Sequence, residues 1–266
     1  MHNILAASLL LAFAAPALAC GPDSPCVIES GEYMVSLPSA WDGTSPIPAA
    51  IYFHGWQSTA EAAMANKKLR QAFDEIGVLL IVPQGAEKTW SHVGSPTQAR
   101  DEIAFIDQLL ADVENRFPID PTSFWVTGFS QGGSMAWDVA CYRGDRFAAF
   151  APIAGAFWED LPETCPAGPV NLRHVHGFTD NVVPLEGRAI RQWHQGDVFA
   201  GFGILREING CRANPVSFDM DDGLRCRSWE GCSSGKELEL CLHDGGHMAP
   251  DGWVEDAWSW VQSVAG

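Results

Sequence analysis

Residues 124–127 form a short apolar run that leads without a break into Gly128-Phe129-Ser130-Gln131-Gly132-Gly133, and helical spacing follows at once to about Tyr142. A strand that turns straight into a helix needs a sharp corner, and small residues beside the corner let two backbones approach closely. No other feature restricts the chain as much. It makes residues 124–127 a buried strand whose end presents one hydroxyl, that of Ser130. The helix below supplies positive potential and free N–H groups.

The rest of the chain repeats this alternation. Apolar runs at 49–53, 78–82, 148–153 and 170–175 read as strands. Helices are expected over 60–76, 98–117, 187–193, 198–207 and 253–264. Within 98–117, Ile103, Ile106, Leu109, Leu110 and Val113 recur at helical spacing. Segments 224–229 and 237–243 read as a hairpin. Near-continuous apolar strands alternating with helices imply an α/β chain with a mostly parallel sheet covered on both faces. No linker, repeat or low-complexity run divides residues 20–266, so one domain is expected. No interval is long enough for a large lid.

Residues 4–18 are apolar but shorter than the roughly 20 residues a membrane helix needs. Ala17-Leu18-Ala19 supplies an A-x-A cleavage site, so residues 1–19 read as a signal peptide and Cys20 as the first mature residue. All 8 cysteines lie at or after that point. An even number in a secreted chain implies disulfides. If the hairpin turn centres between Ser233 and Ser234, Cys226 faces Cys241. The remainder is then met by Cys211 with Cys232, Cys141 with Cys165 and Cys20 with Cys26, although other pairings stay open from sequence. No Cys-x-x-Cys pair points to zinc. His174 and His176 share one face of a strand but read as core histidines, so no metal and no cofactor is expected. The net charge is -17, from 16 basic and 33 acidic residues. Such a surface repels phosphate backbones and anionic membranes, so neither nucleic acid nor membrane is an expected partner.

A serine hydroxyl becomes a nucleophile only beside a base, and the base needs an acid to orient it. On a sheet of this kind the chain order is serine, acid, histidine. Asp180 sits just past the 170–175 strand in His176-Gly177-Phe178-Thr179-Asp180. His247 follows the last strand in Gly245-Gly246-His247. Both fall where open α/β sheets bind ligands. His243 is the rival base, but it lies within the strand. A tetrahedral intermediate needs preset donors. The backbone N–H groups of Gln131 and of Trp56, in His54-Gly55-Trp56, are the candidates. The His54 side chain is expected to brace that loop.

Taken in order, His54-Gly55, Arg100-Asp101-Glu102-Ile103-Ala104-Phe105, Asp120-Pro121, Gly128 to Gly133, His176-Gly177-x-x-Asp180 and Gly245-Gly246-His247 resemble the polyhydroxybutyrate depolymerase and feruloyl esterase group of α/β hydrolases, related to the first carbohydrate-esterase family. The resemblance runs from about Tyr33 to the C-terminus. It implies the α/β-hydrolase fold and a serine carboxylic-ester hydrolase working through an acyl-enzyme on an ester substrate. It also implies a structural bridge between Cys211, in Asn209-Gly210-Cys211, and Cys232. Where that group often continues with Thr-Trp-Pro, this chain has Met248-Ala249-Pro250 after His247.

There are 11 tryptophans. Trp56, Trp90 and Trp158 fall near the loops at the expected C-terminal edge of the sheet. These three are candidates for an aromatic wall facing a phenolic acyl group or a polyester chain, and Trp90, Trp158 and Phe178 are the candidate substrate-binding residues.

Overall fold

The computed structural model describes residues 20–221 and 223–265. The expected signal peptide, residues 1–19, lies outside the described residues. Among the described residues, twelve strands and six α-helices follow one another, with two short 3-10 turns between them. A short antiparallel pair, β1 (Cys26–Ile28) and β2 (Gly31–Ser36), leads into β3 (Ile47–Phe53). Helices α1 (Ala60–Ala65) and α2 (Lys67–Glu75) cross to β4 (Leu79–Pro83), and α3 (Glu102–Arg116) crosses to β5 (Ile119–Phe129). Helix α4 (Gln131–Arg143) then precedes β6 (Ala149–Ile153) and β7 (Leu172–Gly177). The last third holds a small hairpin, β8 (Arg188–Ile190) and β9 (Trp193–Gln195), and α5 (Val198–Asn209). It closes with β10 (Ser217–Asp221), β11 (Leu224–Trp229), β12 (Leu238–His243) and α6 (Trp253–Val264).

Ten strands make one sheet in the order β1-β2-β4-β3-β5-β6-β7-β12-β11-β10. The six from β4 to β12 run parallel, and both edges are antiparallel. This is the α/β-hydrolase fold. Alternation along the strands feeds two apolar layers. Ile51 and Phe53 of β3 face Phe105, Leu109, Met135, Trp137 and Phe202, beneath α3, α4 and α5. Ala50, Leu80 and Trp125 face the other way onto Leu69, Phe73, Val254 and Val261, beneath α1, α2 and α6. Each fully buried large apolar side chain stabilises by about 1.5–3 kcal/mol.

Three sequence expectations change. The single helix over 60–76 is two helices, because Asn66 leaves the helical region (ψ 98) and its side chain caps α2 through the amides of Lys68 and Leu69. The segment 187–193 is not a helix. Arg191 has a φ of 58, and Arg191-Gln192 form a two-residue turn closed by Ile190 and Trp193. Its pairing against Trp158 through Gln195 overrides local helix propensity. The third concerns α3, which starts at Glu102 rather than Gln98, since the Asp101 side chain caps it through Ala104 N–H at 3.0 Å.

All four cysteine pairs are joined: Cys20–Cys26, Cys141–Cys165, Cys211–Cys232 and Cys226–Cys241. In the hairpin Cys226 does pair directly with Cys241. Glu239 lies near these two sulfurs, but both are used in the bridge and are not metal ligands. Among the described residues, no helix is long and apolar enough to cross a membrane.

Candidate active site

Ser130 occupies the corner between β5 and α4 with φ 60 and ψ -124. A non-glycine residue there costs on the order of 1–3 kcal/mol and persists only when its surroundings hold it. They do so here. Ser130 N–H donates to the Ile153 carbonyl at 3.0 Å, and Ser134 N–H donates to the Ser130 carbonyl at 3.0 Å. Gly132 permits the corner to approach β3: a Cβ on it would lie 1.9 Å from the Phe53 carbonyl oxygen.

From this corner Ser130 Oγ meets His247 Nε2 at 2.8 Å. On the other side of the ring, His247 Nδ1 meets Asp180 Oδ2 at 2.7 Å. The loop after β7 carries Asp180, and the loop after β12 carries His247, so neighbouring parallel strands deliver both partners. Gly177 keeps the loops together, because a Cβ there would lie 2.1 Å from the Gly246 carbonyl oxygen. The Phe129 ring packs 4.8 Å from the imidazole, centroid to centroid.

Asp180 is buried. Burial opposes its ionisation, but hydrogen bonds from His176, His247 and the Val183 and Val182 amides outweigh it. They hold the carboxyl well below the ordinary carboxylate range. Its Oδ1 accepts from Val182 N–H at 2.8 Å and Val183 N–H at 2.9 Å, which leaves Oδ2 for the imidazole. A hydroxyl, an imidazole and an anionic carboxylate linked in this way can pass a proton from serine to histidine while the carboxylate fixes the ring tautomer.

The loop after β3 faces the same corner. Gln131 is the first residue of α4, so its N–H has no intrahelical acceptor. Trp56 N–H has no protein acceptor among the described residues, and the residue is 65% exposed. Residues 85–90 hold this loop from behind. Gly85 N–H donates to His54 Nε2 at 3.0 Å, and Gln57 N–H to the Lys88 carbonyl at 2.8 Å. Thr89 Oγ1 donates to the Gln131 side-chain carbonyl. His54 is therefore a brace, as its sequence position implied, and burial lowers its pKa.

Two expected substrate residues are placed elsewhere. Trp90 is wholly buried, and its Nε1–H donates to the His54 carbonyl at 2.8 Å. It supports the loop rather than lining a wall. Trp158 is also buried, with its ring stacked on His92 at 6.3 Å. Trp90 packs against Phe53 and His54, and Trp158 packs against His92 and pairs with Gln195 of the small hairpin, because an indole is large enough to fill such gaps. Phe178, by contrast, is 64% exposed. It lines a 460 Å³ groove with Phe218, Met220, Arg225 and Leu242. His243 is buried at the end of β12, and its Nδ1 accepts from Gly245 N–H at 3.1 Å. That bond places it in the loop's support, not against Ser130. The sequence reading missed the 85–90 brace, for which Gly85 five residues before Trp90 was the only local signal.

The fold defines a class, the α/β hydrolases. The sequence profile of the Esterase family matches residues 29–198, and the chain belongs to that family. It is 26% identical to feruloyl esterase D of Neurospora crassa, over 93% of this chain and 90% of that one. It is also 26% identical to feruloyl esterase B of Piromyces equi, over 87% of this chain, but it spans only 45% of that relative's length. Among solved structures, an acetyl xylan esterase from Aspergillus awamori superposes with a TM-score of 0.63 at 12% identity, covering 87% of this chain and 93% of the other. At that identity the likeness concerns the fold alone.

Proposed function

We propose that the protein is a secreted serine esterase that hydrolyses feruloyl or related acyl esters of plant polysaccharide through an acyl-enzyme on Ser130. One observation carries the mechanism: Ser130 Oγ, His247 Nε2, His247 Nδ1 and Asp180 Oδ2 form a continuous line with contacts of 2.8 and 2.7 Å. His247 takes the Ser130 proton as Oγ attacks the ester carbonyl. The oxyanion is received by the backbone N–H groups of Trp56 and Gln131. His247 then gives the proton to the departing alcohol oxygen. Water, deprotonated by the same imidazole, releases the acid and restores Ser130. Secretion is supported by the apolar leader ending in Ala17-Leu18-Ala19 and by four disulfides, which persist in oxidising compartments.

The substrate class rests on the feruloyl esterases among the relatives. A second reading, a polyester depolymerase, is favoured by the exposed apolar side chains Phe178, Phe218 and Met220 beside the Asp180 loop. Turnover of methyl ferulate and of hydroxybutyrate oligomers by the same preparation separates them. The first reading expects methyl ferulate to be preferred, and preference for the oligomers would replace it with the second. Loss of both activities in Ser130→Ala is expected, and retained turnover would refute the mechanism.

A further inference from the structure

A second line of polar groups crosses the core and ends, like His247, at Asp180 Oδ2. Trp137 of α4 and His174 and His176 of β7 are all wholly buried. Trp137 Nε1 lies 3.3 Å from His174 Nδ1, and His174 Nε2 lies 2.8 Å from His176 Nδ1. His176 Nε2 lies 2.7 Å from the Val183 carbonyl oxygen and 3.4 Å from Asp180 Oδ2.

The direction of every bond follows from the first. An indole nitrogen donates and cannot accept. His174 Nδ1 is therefore the accepting nitrogen, and the His174 proton sits on Nε2. That N–H points at His176 Nδ1, which accepts. The His176 proton is then on Nε2, directed at Val183 and Asp180. Reversal would move the His174 proton to Nδ1; the Pro152 carbonyl also faces the ring. The Trp137 donor would then meet another donor. His176 would carry protons on both nitrogens and set a positive charge beside Asp180.

We propose that Trp137, His174 and His176 are positioning residues for the acid: a one-way hydrogen-bond chain that holds His176 protonated at Nε2 alone, pins the turn from Asp180 to Val183, and leaves the carboxylate's charge to His247. This rests on the reading of Asp180 as the acid of the Ser130 site. Burial and the neighbouring His176 together push the His174 pKa well down, which agrees with a neutral ring. The other titratable groups around His176 are Asp180 and His247 on the adjoining loops and His243 at the end of β12.

The test uses the full secreted chain. In the wild type, 15N spectra at neutral pH are expected to show both rings protonated at Nε2 only. An Nδ1–H on either ring would overturn the proposal, and this readout needs no variant to fold. For kinetics, active sites are titrated with a fluorophosphonate and kcat is expressed per labelled site. His176→Leu is expected to lower kcat about 30-fold with KM within about twofold, since small misplacement of an orienting group costs rate rather than binding. His176→Gln, which keeps a donor at the Nε2 position, is expected to recover to within about threefold of wild type. Unchanged kcat per site in His176→Leu, or an equal loss in His176→Gln, would overturn the proposal. Failure of the wild type itself to label would instead remove the esterase reading before any variant is made.

Discussion

The indole of Trp90 reaches under the loop that follows β3 and donates its Nε1–H to the carbonyl of His54 at 2.8 Å. The contact is fully buried, and it joins the 85–90 segment to the residue two positions before Trp56. Trp90→Phe keeps an aromatic ring but is smaller and removes the donor, leaving a small cavity and a buried carbonyl unsatisfied. We expect kcat on a p-nitrophenyl ester to fall about tenfold with little change in KM, because a loosened donor loop weakens transition-state binding. A change confined to KM would return Trp90 to the substrate wall.

Asp180 and the histidines set how acid affects the fold. Burial first of all lowers the pKa values of His54, His174 and His243 below the ordinary imidazole value of 6.5. Below that value the unfolded chain binds more protons at these rings than the native one, so stability falls as pH drops through this range. Each ring contributes at most about 1.4 kcal/mol per pH unit. Urea unfolding is expected to take up protons between about pH 6.5 and 5. A free energy of unfolding that rises as pH falls over that interval would contradict this.

Gly132 and Gly203 should respond oppositely to alanine. A Cβ at Gly132 would strike the Phe53 carbonyl oxygen at 1.9 Å, whereas a Cβ at Gly203, inside α5, meets nothing within 4 Å. Gly132→Ala is expected to cost about 3 kcal/mol or more, or to prevent folding. Gly203→Ala is expected to stabilise by about 0.5–1 kcal/mol. Thermal melting of the two variants checks both signs.

Of the bridges, Cys226–Cys241 ties the antiparallel edge to β12, the strand that precedes His247, across a separation of 15 residues. Replacing both cysteines by serine is expected to cost about 3 kcal/mol through the unfolded chain's regained freedom. Guanidinium unfolding reads this directly, and an unchanged midpoint would refute it.

The strand–corner–helix unit at Ser130, the loops bearing Asp180 and His247, and the Cys226–Cys241 pairing were all legible, because each depends on local chemistry. Glycines mark corners, apolar runs mark buried strands, and a hairpin's register follows from its turn. What stayed hidden depends on distant partners. Residues 187–193 have helical propensity but fold as a hairpin through Arg191 and the pairing with Trp158. Trp90 and Trp158 carry no mark in sequence that separates a wall from a brace. His174 and His176 read correctly as core residues, yet their line to Asp180 required Trp137, on another element altogether. Strand β10, with exposed Phe218 and Met220, lacks the buried pattern that revealed the central strands.

The central claim is that Ser130 is the nucleophile. Intact-mass analysis after brief exposure to a fluorophosphonate tests it most directly. We expect one adduct per chain, on the peptide containing Ser130, and none in Ser130→Ala or His247→Ala over the same time. An adduct on another residue, or equal labelling of Ser130→Ala, would contradict the account.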